Sequence, residues 1–394
     1  MMRKWILGSV AIVFIGYIFY TNFFDKHEQD EQTSAPETFE ETENLLSEQQ
    51  FLTSSELLES LQQLPIEEQE KLLLGGPPPE GIPSIDQPSF ISIEAADAWI
   101  EENEPVIHVE VAGEARAYPM QIMMWHEIVN DTINGIPVTV TFCPLCNSAF
   151  SFERETENDL LDFGTTGYLY NGALLMYDRQ TQSLWSHFGG NGISGIYDKH
   201  QLEIVPSTII SWSEFKKGFP TAKVLSRDTG FQRDYGNNPY VGYDDVNSPP
   251  FLFSGKLDES FAPKERIVAV KIADQAKAYL LDDLQEKSLI EDTQIVLFYS
   301  EGTASGLDQS TVAGGKEVGS TIAYFREVDG EQLNFYYQDG TFKDEQTEST
   351  WNFFGVATDG PLEGERLNAV PFKVDTFWFA WAAFEPDTEI YDPQ

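Results

Sequence analysis

Ala115-Arg116-Ala117-Tyr118 recurs as Ala276-Lys277-Ala278-Tyr279, each after an alternating apolar run: Val106-Ile107-His108-Val109, then Ile267-Val268-Ala269-Val270. Further echoes follow in the same order. Phe152-Glu153-Arg154 matches Tyr324-Phe325-Arg326, and Leu161-Asp162-Phe163 matches Leu333-Asn334-Phe335. Thr181, Trp185, Trp212, Phe215 and Pro220 meet Thr347, Trp351, Trp378, Trp381 and Pro386 at one constant spacing of 166 residues. A duplication of this kind sets the architecture before any finer reading. The local pattern is mostly β: 149–154, 159–163, 321–326 and 332–337 alternate or carry β-branched and aromatic side chains. Asp329-Gly330 predicts a tight hairpin between the last two. Short helices are expected over 91–101, 120–129, 211–217 and 373–384. The expected fold is therefore mainly β with short helices (α+β), built as two duplicated, diverged β-rich lobes after an N-terminal transmembrane helix. The first lobe is placed at 81–260 and the second, degenerate one at 261–394.

Ahead of the lobes, Met1-Met2-Arg3-Lys4 precedes an uncharged run from Trp5 to Phe24. As a helix that run would cover about 30 Å, enough for a bilayer core. Arg3 and Lys4 favour a cytoplasmic N-terminus. The expectation is a signal anchor over 1–24 and a single-pass protein of the cell membrane, with its main domain extracytoplasmic. A cleaved signal peptide is the competing reading, but Tyr17, Phe19, Tyr20, Phe23 and Phe24 crowd the place where small residues should mark cleavage. No cysteine follows, which excludes a lipoprotein anchor. Residues 25–80 read as an acidic spacer with short helices. Leu57, Leu58, Leu61 and Leu64 keep helical spacing, Pro65 interrupts it, and Gly75-Gly76-Pro77-Pro78-Pro79 ends it.

The chain holds 65 Asp and Glu against 24 Lys and Arg, a net charge of -41. Such charge repels phosphate backbones, so no nucleic-acid partner is expected. It suits a protein exposed to a saline exterior. The membrane is the partner the N-terminal segment implies, and the sequence names no particular small-molecule or protein partner.

Both cysteines of the chain lie in Phe142-Cys143-Pro144-Leu145-Cys146-Asn147, after the apolar run 136–142. One tiny loop adds little stability through chain entropy, which weakens a purely structural role. Two-residue spacing lets both thiols meet one metal ion or close a reducible disulfide. Aligning Phe142 roughly with Phe298 puts Tyr299 and Gly302 where the cysteines stand, so the second lobe lacks the pair. His126 and His187 are the companions considered, and Phe353 replaces His187 in the second lobe. For His126 a structural bond, metal ligation and proton transfer all stay open. The gaps 127–142 and 147–186 match no standard zinc module. His27 falls in the spacer, His108 in a strand and His200 in a loop. Arg154, repeated as Arg326, reads as a structural ion pair. Arg179 reads as a surface pair, or as a cation that lowers a thiol pKa or holds an anionic substrate. The run 189–195 lacks the lysine of a phosphate loop.

Several stretches together resemble one bacterial family. They are Ala117-Tyr118-Pro119, His126-Glu127-Ile128-Val129-Asn130-Asp131, Phe142-Cys143-Pro144-Leu145-Cys146, Phe163-Gly164, Leu169-Tyr170-Asn171, Met176-Tyr177-Asp178-Arg179-Gln180-Thr181 with Leu184-Trp185, and Trp212 with Phe219-Pro220-Thr221. The family is the domain of unknown function numbered 3179, and the resemblance covers about residues 81–390. Its pattern reads Tyr-Cys-Pro-Leu-Cys-Gly-Thr-Ala, from which Phe142, Asn147 and Ser148 depart while both thiols remain. The resemblance implies that His126 and the cysteines share one signature, and it supplies no reaction. Three functions are weighed. The first is an extracytoplasmic metal site of Cys143, Cys146, His126 and His187, which zinc or copper would suit. The second is a thiol-disulfide oxidoreductase acting through Cys143 and Cys146, with Cys143 the more exposed. The third is a non-enzymatic ligand-binding or scaffold protein whose lobes frame a cleft for a carbohydrate or peptide. Cys143, Cys146 and His126 are the candidates for catalysis, and whether the protein is an enzyme stays open.

Overall fold

The computed structural model describes residue 57 and residues 59–392. Backbone pairing repeats through the chain in one order. In the first half, β1 (Pro105–Val111) and β2 (Glu114–Pro119) form a hairpin that leads into α1 (Met120–His126). β3 (Ile128–Ile133), β4 (Ile136–Cys143) and β5 (Ser148–Glu153) follow as an antiparallel meander. A second sheet holds β6 (Phe163–Tyr170), β7 (Ala173–Asp178) and β8 (Leu184–Ser186). The chain then returns: β9 (Ser207–Ser211) pairs antiparallel with β1, and α2 (Trp212–Gly218) leads to β10 (Lys223–Leu225), parallel to β2.

The second half traces the same path. β11 (Arg266–Ile272), β12 (Gln275–Leu280) and α3 (Leu281–Lys287) come first. β13 (Leu289–Asp292), β14 (Ile295–Ser300) and β15 (Ser320–Phe325) form the meander, and β16 (Phe335–Gln338), β17 (Thr341–Asp344) and β18 (Thr350–Trp351) the second sheet. β19 (Lys373–Phe377) returns to β11, and α4 (Trp378–Phe384) leads to β20 (Glu389–Ile390), parallel to β12.

The repeated residues are the ones that hold this path. On β2, Arg116 and Tyr118 point the same way and both donate to Asp131 on β3, each at 2.5 Å. On β12, Lys277 and Tyr279 do the same to Asp292 on β13, at 2.8 Å. The turns after β7 and β17 are a second matched device. Asp178 accepts from the Thr181 backbone and hydroxyl and from Trp185 Nε1, and Asp344 accepts from Thr347 and Trp351 in the same way. Both aspartates are fully buried, so these bonds replace the water each carboxylate has lost.

Three of the four expected helices are shorter than their sequence pattern predicts, whereas 211–217 is matched by Trp212–Gly218 at full length. α1 stops at His126 because Glu127 turns into the left-handed region at φ 58°, and the chain leaves as a strand. Ser288 makes the same turn after α3 at φ 63°. Of 91–101 only Ile93–Ala96 is helical, capped by Ser92, and 373–377 is the strand β19. Of 159–163 only Phe163 is in a named strand. Leu72–Leu74 is a strand on β6 rather than helix. Asp329-Gly330 does turn a hairpin, at φ 52° and 79°, between Glu327–Val328 and Glu331–Gln332.

The halves share their cores. One buried cluster joins Phe142, Phe150 and Trp185 to Phe377, Trp378 and Trp381, and another joins Trp212 and Phe215 to Phe298 and Trp351. One expectation needs correction. The transmembrane anchor over 1–24 lies outside the described residues, and among those described no helix is long and apolar enough to cross a membrane. The mainly β fold with short helices therefore stands without that helix. The membrane partner, the signal-anchor reading and the single-pass cell-membrane placement that rested on it are withdrawn.

Candidate functional site

The β4–β5 ladder sets Cys143 opposite Ser148, with residues 144–147 as the turn between them. The thiols face inward. Cys143 is 1% and Cys146 0% exposed, so neither is the accessible thiol that exchange through Cys143 requires. The turn is clamped by three bonds from two sides. The Cys146 carbonyl accepts from Thr376 Oγ1 at 2.8 Å and from the Phe377 backbone at 3.1 Å, both on β19, while Tyr243 donates to the Leu145 carbonyl at 2.9 Å.

A buried chain of hydrogen bonds starts at Cys146. Its sulfur lies 3.0 Å from Ser148 Oγ, and Ser148 Oγ lies 2.7 Å from His187 Nε2. His187 Nδ1 lies 3.0 Å from Thr141 Oγ1, which donates to the Phe150 carbonyl. That last bond orients the rest. With its one proton given to Phe150, Thr141 can only accept, so His187 carries its proton on Nδ1. Nε2 then accepts from Ser148, and Ser148 accepts from the Cys146 thiol. Burial holds His187 neutral, with its pKa lowered to about 3. Burial, with Cys143 adjoining, pushes the Cys146 thiol well above its ordinary value.

His126 is not part of this chain. Its Nδ1 meets the Pro83 carbonyl at 2.7 Å and its Nε2 the Tyr235 hydroxyl at 2.6 Å. A carbonyl only accepts, so Nδ1 donates and Nε2 accepts, and both nitrogens of the neutral ring are used. Burial is the main cause of its lowered pKa, about 4.

These contacts overturn the metal reading and the redox reading. Among the described residues no group of three His, Cys, Asp or Glu side chains could hold a metal ion. Ser148 stands between Cys146 and His187, and His126 is spent on Pro83 and Tyr235. Zinc or copper on Cys143, Cys146, His126 and His187 is therefore dropped. Disulfide exchange needs an accessible sulfur with a lowered pKa, whereas both thiols are buried and free and Cys146 is shifted the opposite way. The arginines lie elsewhere. Arg154 bonds Asp162 and the carbonyls of Asp131 and Leu161, and Arg179 bonds Glu80, Asp86 and Ser84.

The residue that sequence reading passed over is Glu127. It lines one wall of a cavity of about 490 Å³ bounded by the 75–82 segment, β6, the thiol turn at Leu145, and the 239–252 loop. Most of the lining is apolar, and among the described residues Glu127 is its one carboxyl. Burial raises its pKa to about 8, against a hydrogen bond from Tyr240 that lowers it. The thiols lie close behind, since Cys143 acts electrostatically on both Tyr240 and Tyr243, and Glu127 on Cys146. A signal existed in the sequence. The spacing that carries Ala115 to Ala276 carries Glu127 to Ser288, so Glu127 is another first-half residue without a chemical counterpart.

The second half lacks the rest of the site too. Phe142 N bonds the Glu127 carbonyl, and Tyr299 N bonds the Ser288 carbonyl, so Tyr299 rather than Phe298 matches Phe142. Cys143 thus meets Ser300. The turn 144–147 is replaced by the excursion 301–319, and Phe353 stands at the place of His187.

The fold and this one-sided site define a duplicated β-rich domain with a buried thiol turn and an acid-bearing cavity. The chain belongs to the DUF3179 family, described as a protein of unknown function, which matches residues 79–388. No curated protein and no solved structure matches it.

Proposed function

We propose that the first-half cavity is the working site of this domain, taking a small, largely apolar molecule whose polar end exchanges a proton with Glu127. The supporting observation is the placement of one carboxyl on an otherwise apolar wall, beside two thiols. A carboxyl that keeps its proton to about pH 8 donates a hydrogen bond at neutral pH and gives up or regains that proton readily. The reaction class is general acid–base chemistry, with Glu127 as the proton-exchanging group and Tyr240 as its hydrogen-bonding partner.

Cys143 and Cys146 are the proton-bearing groups behind Glu127 in this reading. Burial disfavours charge on both the Cys146 sulfur and the His187 ring, so the Cys146–Ser148–His187 chain keeps its protons in place and holds the thiol turn rigid behind Glu127. His126 acts as a positioning residue. Its two bonds fix the end of α1, and so the left-handed residue from which the Glu127 carboxyl projects.

Nile red, a neutral apolar dye, is expected to bind saturably at about one site per chain. Val241→Trp is expected to block it, because Val241 lines the cavity yet is 60% exposed and tolerates the larger ring. Carbon NMR of labelled glutamate, assigned by Glu127→Gln, should find one carboxyl titrating near pH 8 whose midpoint moves when dye binds. Dye binding indifferent to Val241→Trp, or a Glu127 carboxyl titrating in the ordinary range, ends this reading.

A further inference from the structure

A second cavity, of about 310 Å³, lies where the two halves meet and shares no lining residue with the first. His108 and Glu110 on β1 face it from the first half. Tyr324 on β15 and Arg366 and Lys373 face it from the second. In a chain of net charge -41 two cations reach this cavity, Arg366 paired with Glu110 and Lys373 paired with Asp375, so the lining carries no negative excess.

Two of these polar groups, His108 and Arg366, keep hydrogen-bonding capacity for an occupant. His108 has a ring nitrogen, Nε2, shielded from solvent and without a hydrogen-bond partner among the described residues. The ring is fixed by stacking on Phe219, with centroids 4.4 Å apart, and by the edge of Phe354 at 5.9 Å. Burial keeps that ring uncharged, so it has one N–H and one lone pair to offer. Arg366 is half exposed. Glu110 reaches only its two terminal nitrogens, at 3.1–3.3 Å, longer than a strong charge-assisted pair. Its guanidinium fork thus has donors to spare. Lys373 is buried below, its nitrogen bonded to Asp375, Thr208 and the Thr321 carbonyl, so it is matched by a carboxylate and offers the occupant no free donor.

We propose that this cavity binds a small aromatic carboxylate, with the carboxylate on Arg366, the ring against Phe354 and Tyr324, and a ring hydroxyl reaching His108. Planar bidentate recognition is what a guanidinium does best, and aromatic walls give a flat ring edge and face contacts. The binding is independent of the Glu127 cavity.

Isothermal titration with 4-hydroxybenzoate, benzoate and benzyl alcohol tests the assignment. The expected order is 4-hydroxybenzoate tighter than benzoate, with benzyl alcohol at least about tenfold weaker than benzoate. Arg366→Gln, at a half-exposed position, should weaken both acids by about tenfold or more. His108→Phe, which keeps the stack on Phe219, should erase the advantage of the hydroxyl while benzoate binds as before. Glu127→Gln and Val241→Trp should leave all three titrations unchanged, so that failure here is separable from failure of the first site. No saturable binding at millimolar acid, equal binding of benzyl alcohol, or indifference to Arg366→Gln would overturn the proposal. A hydroxyl advantage that survives His108→Phe overturns the part given to His108.

Discussion

Glu127 and His187 pull the pH dependence of stability in opposite directions. The Glu127 carboxyl, ordinarily near 4.5, holds its proton to about pH 8 in the fold. Between those values the unfolded chain has released a proton that the folded chain keeps, so stability falls as pH rises through that window. At about 1.4 kcal/mol per unit the loss above pH 8 is on the order of 3–5 kcal/mol. Glu127→Gln should flatten this alkaline arm, as read from urea midpoints between pH 6 and 9. His187 works on the acid side. Its folded pKa lies near 3 against 6.5, so the unfolded state binds the extra proton and stability is lost as pH drops below 6.5. His187→Phe copies the second half at this position and should make the acid arm shallower, leaving the share carried by His108 and His126. At pH 7 it should cost about 1–3 kcal/mol, because Ser148 and Thr141 lose their buried partner. A variant as stable as the parent at pH 7 would show that the Cys146–Ser148–His187 chain is not satisfied as drawn.

At the scale of elements, the turns after β7 and β17 are one device used twice. Asp178→Ala and Asp344→Ala each strand a tryptophan N–H and two threonine donors in the core. Each should therefore cost about 2–4 kcal/mol in urea unfolding. A loss in only one half would mean that the two turns are not equivalent in energy. The same chemistry explains what could be read from the sequence. Thr181 with Thr347, and Trp185 with Trp351, repeat at constant spacing because each pair of residues serves one carboxylate, and Arg116-x-Tyr118 repeats as Lys277-x-Tyr279 for the same reason. Helix ends were less legible. α1 stops on the left-handed Glu127, a conformation that side-chain periodicity does not encode. The register of the thiol turn is hard to count from sequence because the β13–β14 hairpin (289–300) is shorter than the β3–β4 hairpin (128–143), and only the backbone ladder counts across such a change. Cys143, Cys146 and His187 were visible as residues, but Ser148 was read only as a departure from a family pattern. Glu127 escaped because its surroundings come from 75–82 and 239–252, far along the chain.

For the molecule as a whole, the shared cores predict one unfolding event. We propose 81–260 and 261–394 as the two copies of the duplication, with 25–80 ahead of them. Its described end is not a bare spacer, since Leu57, Leu61 and Leu64 are buried against Tyr177 and Leu184. Tryptophan fluorescence and far-ultraviolet circular dichroism should trace coincident urea transitions, since Trp185 packs in one cluster with Trp378 and Trp381. Two separated transitions would mean that the halves are stable alone. The bonds that Thr376 and Phe377 give to the Cys146 carbonyl have a last consequence. A strand of the half that lost the chemistry is the latch on the thiol turn of the half that kept it, so alkylation of the thiols by iodoacetamide becomes a clock for opening between the halves. Under native conditions its rate measures how often the latch lifts. Thr376→Val, which removes one of the two bonds, should quicken the clock without moving a single residue of the site.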